Sequence, residues 1–292
     1  MSAKSLSYSR NRPTSALSRT RVVGFGALAL VTAATAFAVG GSAQAATPVN
    51  LGGSQAFAIL AGTGITNTGP TKITGNIGTF PTTSITGAGS ITLTGTNHAG
   101  DSVTQLAKNS LVTAYNNAAA EGPATAIPAD LAGRTLKAGI YNSASSIGLS
   151  GTLTLDGAGD PNSLFVFQAG SKLTTSSGSV VRFINGASWC NVYWQVGSSA
   201  TLGTNSTFRG TILALTSISL NTGATVDGRV LARNGAVTLD RNTIRIDNCA
   251  AGATAPGPQV SATPSGSITT APAPQVSATP SGSIATGDNS FG

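Results

Sequence analysis

Histidine, cysteine and charge are all scarce in this chain, and each shortage removes a class of chemistry. There is one histidine, His98, so a histidine-rich metal site is excluded and no metal or other cofactor is expected. There are two cysteines, Cys190 and Cys249, too few for a disulfide-dense scaffold. Acidic residues number nine, which limits the paired carboxylates that glycoside hydrolysis requires. Apolar runs long enough to approach a bilayer thickness are absent except one near the N-terminus.

That run defines the first segment. Lys4, Arg10, Arg12, Arg19 and Arg21 precede an apolar stretch from Val22 to Val39, and Ala43-Gln44-Ala45 follows with small-x-small spacing. Residues 1–45 therefore read as a secretory signal peptide, with a single membrane anchor as the alternative. The leader holds five of the 16 basic residues, leaving 11 against nine acids, a net +2. The exported chain is nearly neutral and its cations are scattered along the sequence, so nucleic acid is not an expected partner. Export favours a disulfide between Cys190 and Cys249; two buried free thiols are the alternative.

Residues 251–292 form a Pro/Ser/Thr-rich tail. The eleven residues from Pro258 to Ile268 recur from Pro274 to Ile284, an offset of 16. With so little apolar content this segment is expected to be disordered, a spacer that reaches toward the cell envelope. It carries no LPxTG sorting motif. The folded domain is thus expected over residues 46–250.

Within the domain, Val103, Leu106, Ala107, Leu111, Ala114, Tyr115 and Ala118 follow the spacing of a one-sided helix. Asp101 or Ser102 can cap it, and Glu121-Gly122-Pro123 stops it. Almost everything else reads as short β runs with an internal repeat. Phe167-Gln168, Trp194-Gln195, Leu213-Ala214 and Leu231-Ala232 align at offsets of 27, 19 and 18. This register places Val166, Tyr193, Ile212 and Val230 in one inward column, and forms hydroxyl columns Ser171/Ser198/Ser217 and Ser179/Ser206/Thr225/Thr243. A repeat of about 18 residues is one turn of a three-sided parallel β-helix, whose coils stack about 4.8 Å apart. A β-sandwich also accommodates short strands with frequent turns, but the fixed period and aligned columns favour an all-β solenoid.

No constellation points to catalysis. Asp227 and Asp240 lie in adjacent coils but in different columns, and Asp156 and Asp160 flank a turn. His98 has no evident partner, and no GxSxG elbow is present. Threonine, in contrast, is abundant: 30 lie between Thr47 and Thr243, many in TGxT or TGxN units such as Thr63–Thr66, Thr94–Asn97 and Thr222–Thr225. On a flat solenoid face, outward hydroxyls would repeat about 4.8 Å between coils and about 6.7 Å along a strand. A stiff grid of weak groups suits a periodic solid such as ice better than a small molecule.

Two stretches carry a family resemblance. AFAILAGTGITNTGPTKITGNIGTFP, from Ala56 to Pro81, resembles the N-terminal signature of the DUF3494 ice-binding-like proteins. The run VYWQVGSSATLGTNSTFRGTILALTSISLNTGATVDGRVLARNGAVTLD, from Val192 to Asp240, resembles their C-terminal coils. The resemblance covers about Leu51 to Cys249. It implies a discontinuous triangular β-helix with one long helix alongside, secretion, and adsorption to an ice crystal surface through one flat face. The residues expected to form that face are Ser198, Thr201, Thr204, Ser206, Ser217, Thr222, Thr225, Thr238 and Thr243. Leu220, Asp240 and Arg241 are expected to interrupt its columns. A monomer is expected, and the alternative function is an adhesive or structural surface protein on the same scaffold.

Overall fold

A computed structural model describes residues 46–246. Short strands of two to five residues wind into coils. They are buried on both sides in the sheet beneath the helix Ser102–Ala120, and mostly alternate inward apolar with outward polar side chains in the other two sheets. The coils build three parallel sheets of eight, seven and eight strands. Each coil gives one strand to each sheet except that of Thr125–Ala126 and Thr135–Lys137, which meets the seven-stranded sheet only through a bridge at Asp130. Phe165–Ala169, Leu173–Thr175 and Val180–Ile184 make one such coil. The next is Val192–Val196, Ala200–Leu202 and Thr207–Arg209. These sheets are called faces 1, 2 and 3 in that order.

The stack is discontinuous in sequence. Phe57–Ala61, Ile65–Thr68 and Thr71–Thr74 seat on the strands of the last coil, Val230–Ala232, Val237–Asp240 and Thr243–Arg245. Asn76–Thr79, Ile85–Thr86 and Ile91–Thr94 add one further coil beyond them. The chain then crosses back as α1, Ser102–Ala120, and restarts at the far end. Every strand pairing is parallel, so the first and last coils read as one continuous ladder.

The interior is filled by residues at successive rungs. Tyr141, Phe167 and Trp194 stack with ring centroids 5.3 and 4.0 Å apart, and Phe208 tilts against Trp194 at 5.1 Å. Leu153, Val181, Ile212, Val226, Val230 and Ile244 complete this core and are fully buried. A second core lies on the outer side of face 1. There Ala107, Leu111, Ala114, Tyr115 and Ala118 of α1 pack on Leu60, Ile140, Val166, Tyr193, Leu213 and Leu231.

The observed register corrects the expected one by a single residue. Trp194 pairs with Ile212, an offset of 18 rather than 19, and Ile212 pairs with Val230. A one-residue slip in a strand exchanges its faces. Val166 and Tyr193 accordingly point outward under α1, not inward with Ile212 and Val230. By the same slip Thr207 pairs with Thr225 and Thr225 with Thr243, while Ser179 and Ser206 form a separate buried column.

The helix stripe is also rotated. Thr104 and Lys108 are buried where Val103 and Leu106 were expected, and those two remain 46% and 65% exposed. Asp101 caps the helix by accepting from the Thr104 N–H at 2.8 Å. Lys108 Nζ reaches through to donate to the Ala232 carbonyl at 2.7 Å and to that of Arg233. Gln168 closes the other end, its Nε2 donating to the carbonyls of Ala118 at 2.9 Å and Glu121 at 2.8 Å.

Candidate functional site

Since α1 covers face 1, faces 2 and 3 are the sides of the solenoid left to meet a partner. On face 2 an outward hydroxyl residue stands between two buried ones: Leu173-Thr174-Thr175, Ala200-Thr201-Leu202, Ile218-Ser219-Leu220, Val237-Thr238-Leu239 and Ile65-Thr66-Asn67, the flanks being apolar except Thr175 and Asn67. The flanking residues of each triplet are buried, which forces the central side chain outward.

Strand pairing then places these central residues in one line. Thr174 pairs with Thr201, Thr201 with Ser219, Ser219 with Thr238, Thr238 with Thr66 and Thr66 with Thr86. Gly148 begins the line beside Thr174. The result is six hydroxyl residues on consecutive rungs, spanning about 24 Å at the inter-strand spacing. All six are at least partly exposed.

Two columns flank the ladder. Two residues before it, the backbone bonds between coils set Ser146, Lys172, Ser199, Ser217, Ala236, Gly64 and Ser84 in register. Ser199 Oγ accepts from the Ser217 N–H at 3.3 Å, and Ser217 Oγ accepts from the Ala236 N–H at 3.2 Å. These hydroxyls are thereby held by the coil above. Two residues after the ladder, Thr68 pairs with Asp240. The Thr222 hydroxyl donates to Asp240 Oδ2 from the neighbouring coil.

The nine residues expected from sequence do not share a face. Thr201 and Thr238 stand in the ladder, and Ser217 lies in the column beside it. Thr225 and Thr243 belong to face 3. Ser198 sits at the corner between faces 1 and 2, and Thr204 and Thr222 at the corner between faces 2 and 3. Ser206 is 1% exposed and turned into the solenoid. Thr174, Ser219, Thr66 and Thr86 complete the ladder and are not among the nine; of these only Ser219 stands between two apolar residues, Ile218 and Leu220, which was a readable signal.

The expected interruptions also resolve. Leu220 is buried and points inward, so Ser219 occupies the outward position. Arg241 adopts φ 52° at the corner between faces 2 and 3, where Gly69 (φ 74°), Gly178 (φ 69°), Asn205 (φ 54°) and Gly223 (φ 73°) make the same left-handed turn. At Gly223 the turn is also tight, since a Cβ there would come within 2.3 Å of Asn205 Oδ1. Asp240, with Arg241 paired to it, and Lys172 in the opposite column put charge beside the ladder, and Asp130 lies in its line beyond Gly148.

The carboxylates of the described residues have structural partners. Asp227 accepts from Arg245 Nε at 2.6 Å and Arg209 Nε at 3.2 Å. Asp156 holds the Ala158 N–H and Asn185, which keep its carboxyl below the usual range. The Ser150 hydroxyl and N–H do the same for Asp130. His98 Nδ1 meets Asp101 at 2.7 Å beside the helix cap. Among the described residues no group of His, Cys, Asp and Glu could hold a metal. No helix among them is long and apolar enough to cross a membrane. Cys190 carries no free thiol, and Cys249 lies outside the described residues, as do the signal peptide and the tail.

Comparison with known proteins places this architecture. The family model described as Ice-binding-like matches residues 59–245, which span every coil. The chain belongs to the Ice-binding-like family. Among its relatives is the ice-binding protein of Nostoc sp. (strain HG1), 48% identical over 204 residues, covering 69% of this chain and 76% of the relative. The ice-binding protein of Colwellia sp. is 36% identical, covering 70% of this chain and 87% of its own. A crystal structure of an ice binding protein from an Antarctic biological consortium superposes with a TM-score of 0.68 at 47% identity, over 69% of this chain and 92% of that one. The ice-binding protein from Antarctomyces psychrotrophicus gives 0.67 at 43% identity, over 69% of this chain and all of that one. The fold of this Ice-binding-like chain superposes on both.

Proposed function

We propose that this protein adsorbs to ice through face 2, with the ladder Thr174–Thr201–Ser219–Thr238–Thr66–Thr86 at the centre of the contact. The observation that carries this reading is the unbroken run of outward hydroxyls on consecutive, directly paired rungs. Threonine is restricted at χ1, so ordering it against a surface loses little side-chain entropy. Its hydroxyl can join an ordered water layer while its methyl group excludes liquid water. Each such contact is weak, and a rigid row of them acts together. The names of the relatives point the same way.

The reading extends to the rest of the chain. The protein acts without catalysis, because its carboxylates already serve turns, caps and the Asp227 ion pairs. It is exported by the 1–45 leader and works as a monomer. A Cys190–Cys249 disulfide ties the last coil to the insertion before Val192, and the 251–292 tail reaches toward the cell envelope.

The test is an ice-recrystallisation and thermal-hysteresis assay on the oxidised protein purified from culture medium. Inhibition at micromolar concentration is expected, together with an N-terminus at Ala46. A folded sample that leaves ice growth unchanged would overturn the ice reading, and an intact leader would overturn export by cleavage.

A further inference from the structure

Face 3 is the other exposed side, and its chemistry differs from that of face 2. Its strands carry five cations, Lys72, Lys137, Arg182, Arg209 and Arg245, against two carboxylates, Asp156 and Asp227, an excess of three. The strands of face 2 carry no cation and one carboxylate, Asp240. Cations that are far apart in sequence are thus gathered onto one side by the coiling. They are also aligned. Thr154 pairs with Arg182, and the register of Val180 with Thr207 sets Arg182 beside Arg209. Arg209 pairs with Asp227, and Asp227 with Arg245. In the adjacent column Thr207, Thr225, Thr243 and Lys72 follow on consecutive rungs.

The column is held in place. Asp227 takes Arg209 through Nε, and the guanidinium lies over the Phe183 ring at 5.2 Å. That leaves the end-on fork of the two terminal nitrogens for an oxyanion. Arg182 is exposed one rung away, about 4.8 Å along the axis, and Arg245 lies two rungs to the other side. Three arginines on four rungs, with Asp227 set between Arg209 and Arg245 and a row of hydroxyls alongside, leave a net positive strip that complements a linear polymer bearing a carboxylate or sulfate on each repeat.

We propose that face 3 binds an acidic polysaccharide lying along the solenoid axis, leaving face 2 to ice. Two other polyanions fit less well. Single-stranded nucleic acid binds on exposed aromatic platforms, and of the two aromatics on these strands Phe183 is half-buried beneath Arg209 and Phe208 is fully buried. An anionic membrane surface is held by apolar side chains that insert, and the outward apolar residues Val180 and Ile184 are themselves half-buried. The arrangement would link ice adsorption to an acidic extracellular matrix.

The experiment measures binding of the full chain to a polyuronate and to neutral dextran, above the freezing point, across a salt series. Binding to the polyuronate alone is expected, weakening about tenfold or more between about 50 and 200 mM salt, as counterion release requires. Lys72→Gln with Arg182→Gln is expected to weaken it at least tenfold while ice-recrystallisation inhibition stays unchanged. Both residues are exposed and lie outside the Asp227 pairs, so the fold should be retained. No binding, equal binding to dextran, salt-independent binding, or an unaffected double variant would each overturn the proposal. Equal or tighter binding to DNA or to phosphatidylglycerol vesicles would overturn the choice of polysaccharide.

Discussion

Thr201 has a ladder neighbour on each side, Thr174 and Ser219, each about 4.8 Å away. Replacing it with tyrosine lifts the contacting surface off any flat solid and breaks the row at its middle. Thr201→Tyr is therefore expected to reduce ice-recrystallisation inhibition at least tenfold. Because the side chain points to solvent, the melting temperature should move by less than about 2 °C. The informative second site is Asp240, the charged residue in the column beside the ladder. Asp240→Thr would continue the column of Thr68 and is expected to strengthen activity, read as a lower effective concentration in the same assay. Both expectations depend on register, which the sequence leaves open by one residue. The 27-residue offset across the insertion is right, but in the next coil Trp194 can be set against Ile212 or Leu213, both apolar, so offsets of 18 and 19 align almost equally well. Only the apolar–hydroxyl–apolar triplets distinguish them, because burying the flanks of Thr201, Ser219 and Thr238 fixes their direction.

Lys108 makes a further expectation at this scale. Desolvation first, and then Arg233, pull its pKa from 10.5 down to about 8. Between those values the unfolded chain holds the proton and the folded one releases it, so stability rises as pH increases from about 8 toward 10. The neutral amine still donates to Ala232 and Arg233. Thermal melts should show this rise between pH 8 and 9.5, and Lys108→Met should flatten it. A slope of the opposite sign would mean that the two carbonyls stabilise the ammonium more than burial disfavours it.

Among the elements, α1 is the one whose existence was legible and whose orientation was not. Its cap, length and stop follow from Asp101, the apolar spacing and Gly122-Pro123. Its buried face includes Thr104 and Lys108 because polar atoms there find backbone carbonyls, of His98 and of Ala232, that no hydrophobic spacing reveals. Gln168 is the matching feature on the sheet side. Gln168→Ala leaves the carbonyls of Ala118 and Glu121 without their donor in a mostly buried setting. The melting temperature is expected to fall by about 3–8 °C, from roughly 1–3 kcal/mol of unmet hydrogen bonding. Face 2 is remote from this contact, so ice activity measured near 0 °C should persist.

For the molecule as a whole, the decisive feature is that its first strands close onto its last. Phe57–Ala61 covers the edge of Val230–Ala232, and the added coil to Thr94 carries the ladder on to Thr86. Removing residues 46–100 would expose three open strand edges and shorten the ladder by two of its six hydroxyl residues. Such a truncated chain is expected to aggregate, measured by light scattering. The three-sided solenoid was legible from the repeat, whereas this closure rests on long-range pairing that no local pattern encodes. The measurement that bears most directly on the account compares Thr201→Tyr with Thr225→Tyr in one ice-recrystallisation assay. Both carry the same substitution on exposed strands, one on face 2 and one on face 3. The account predicts that Thr201→Tyr loses activity and Thr225→Tyr keeps it; loss at Thr225 with retention at Thr201 would contradict it.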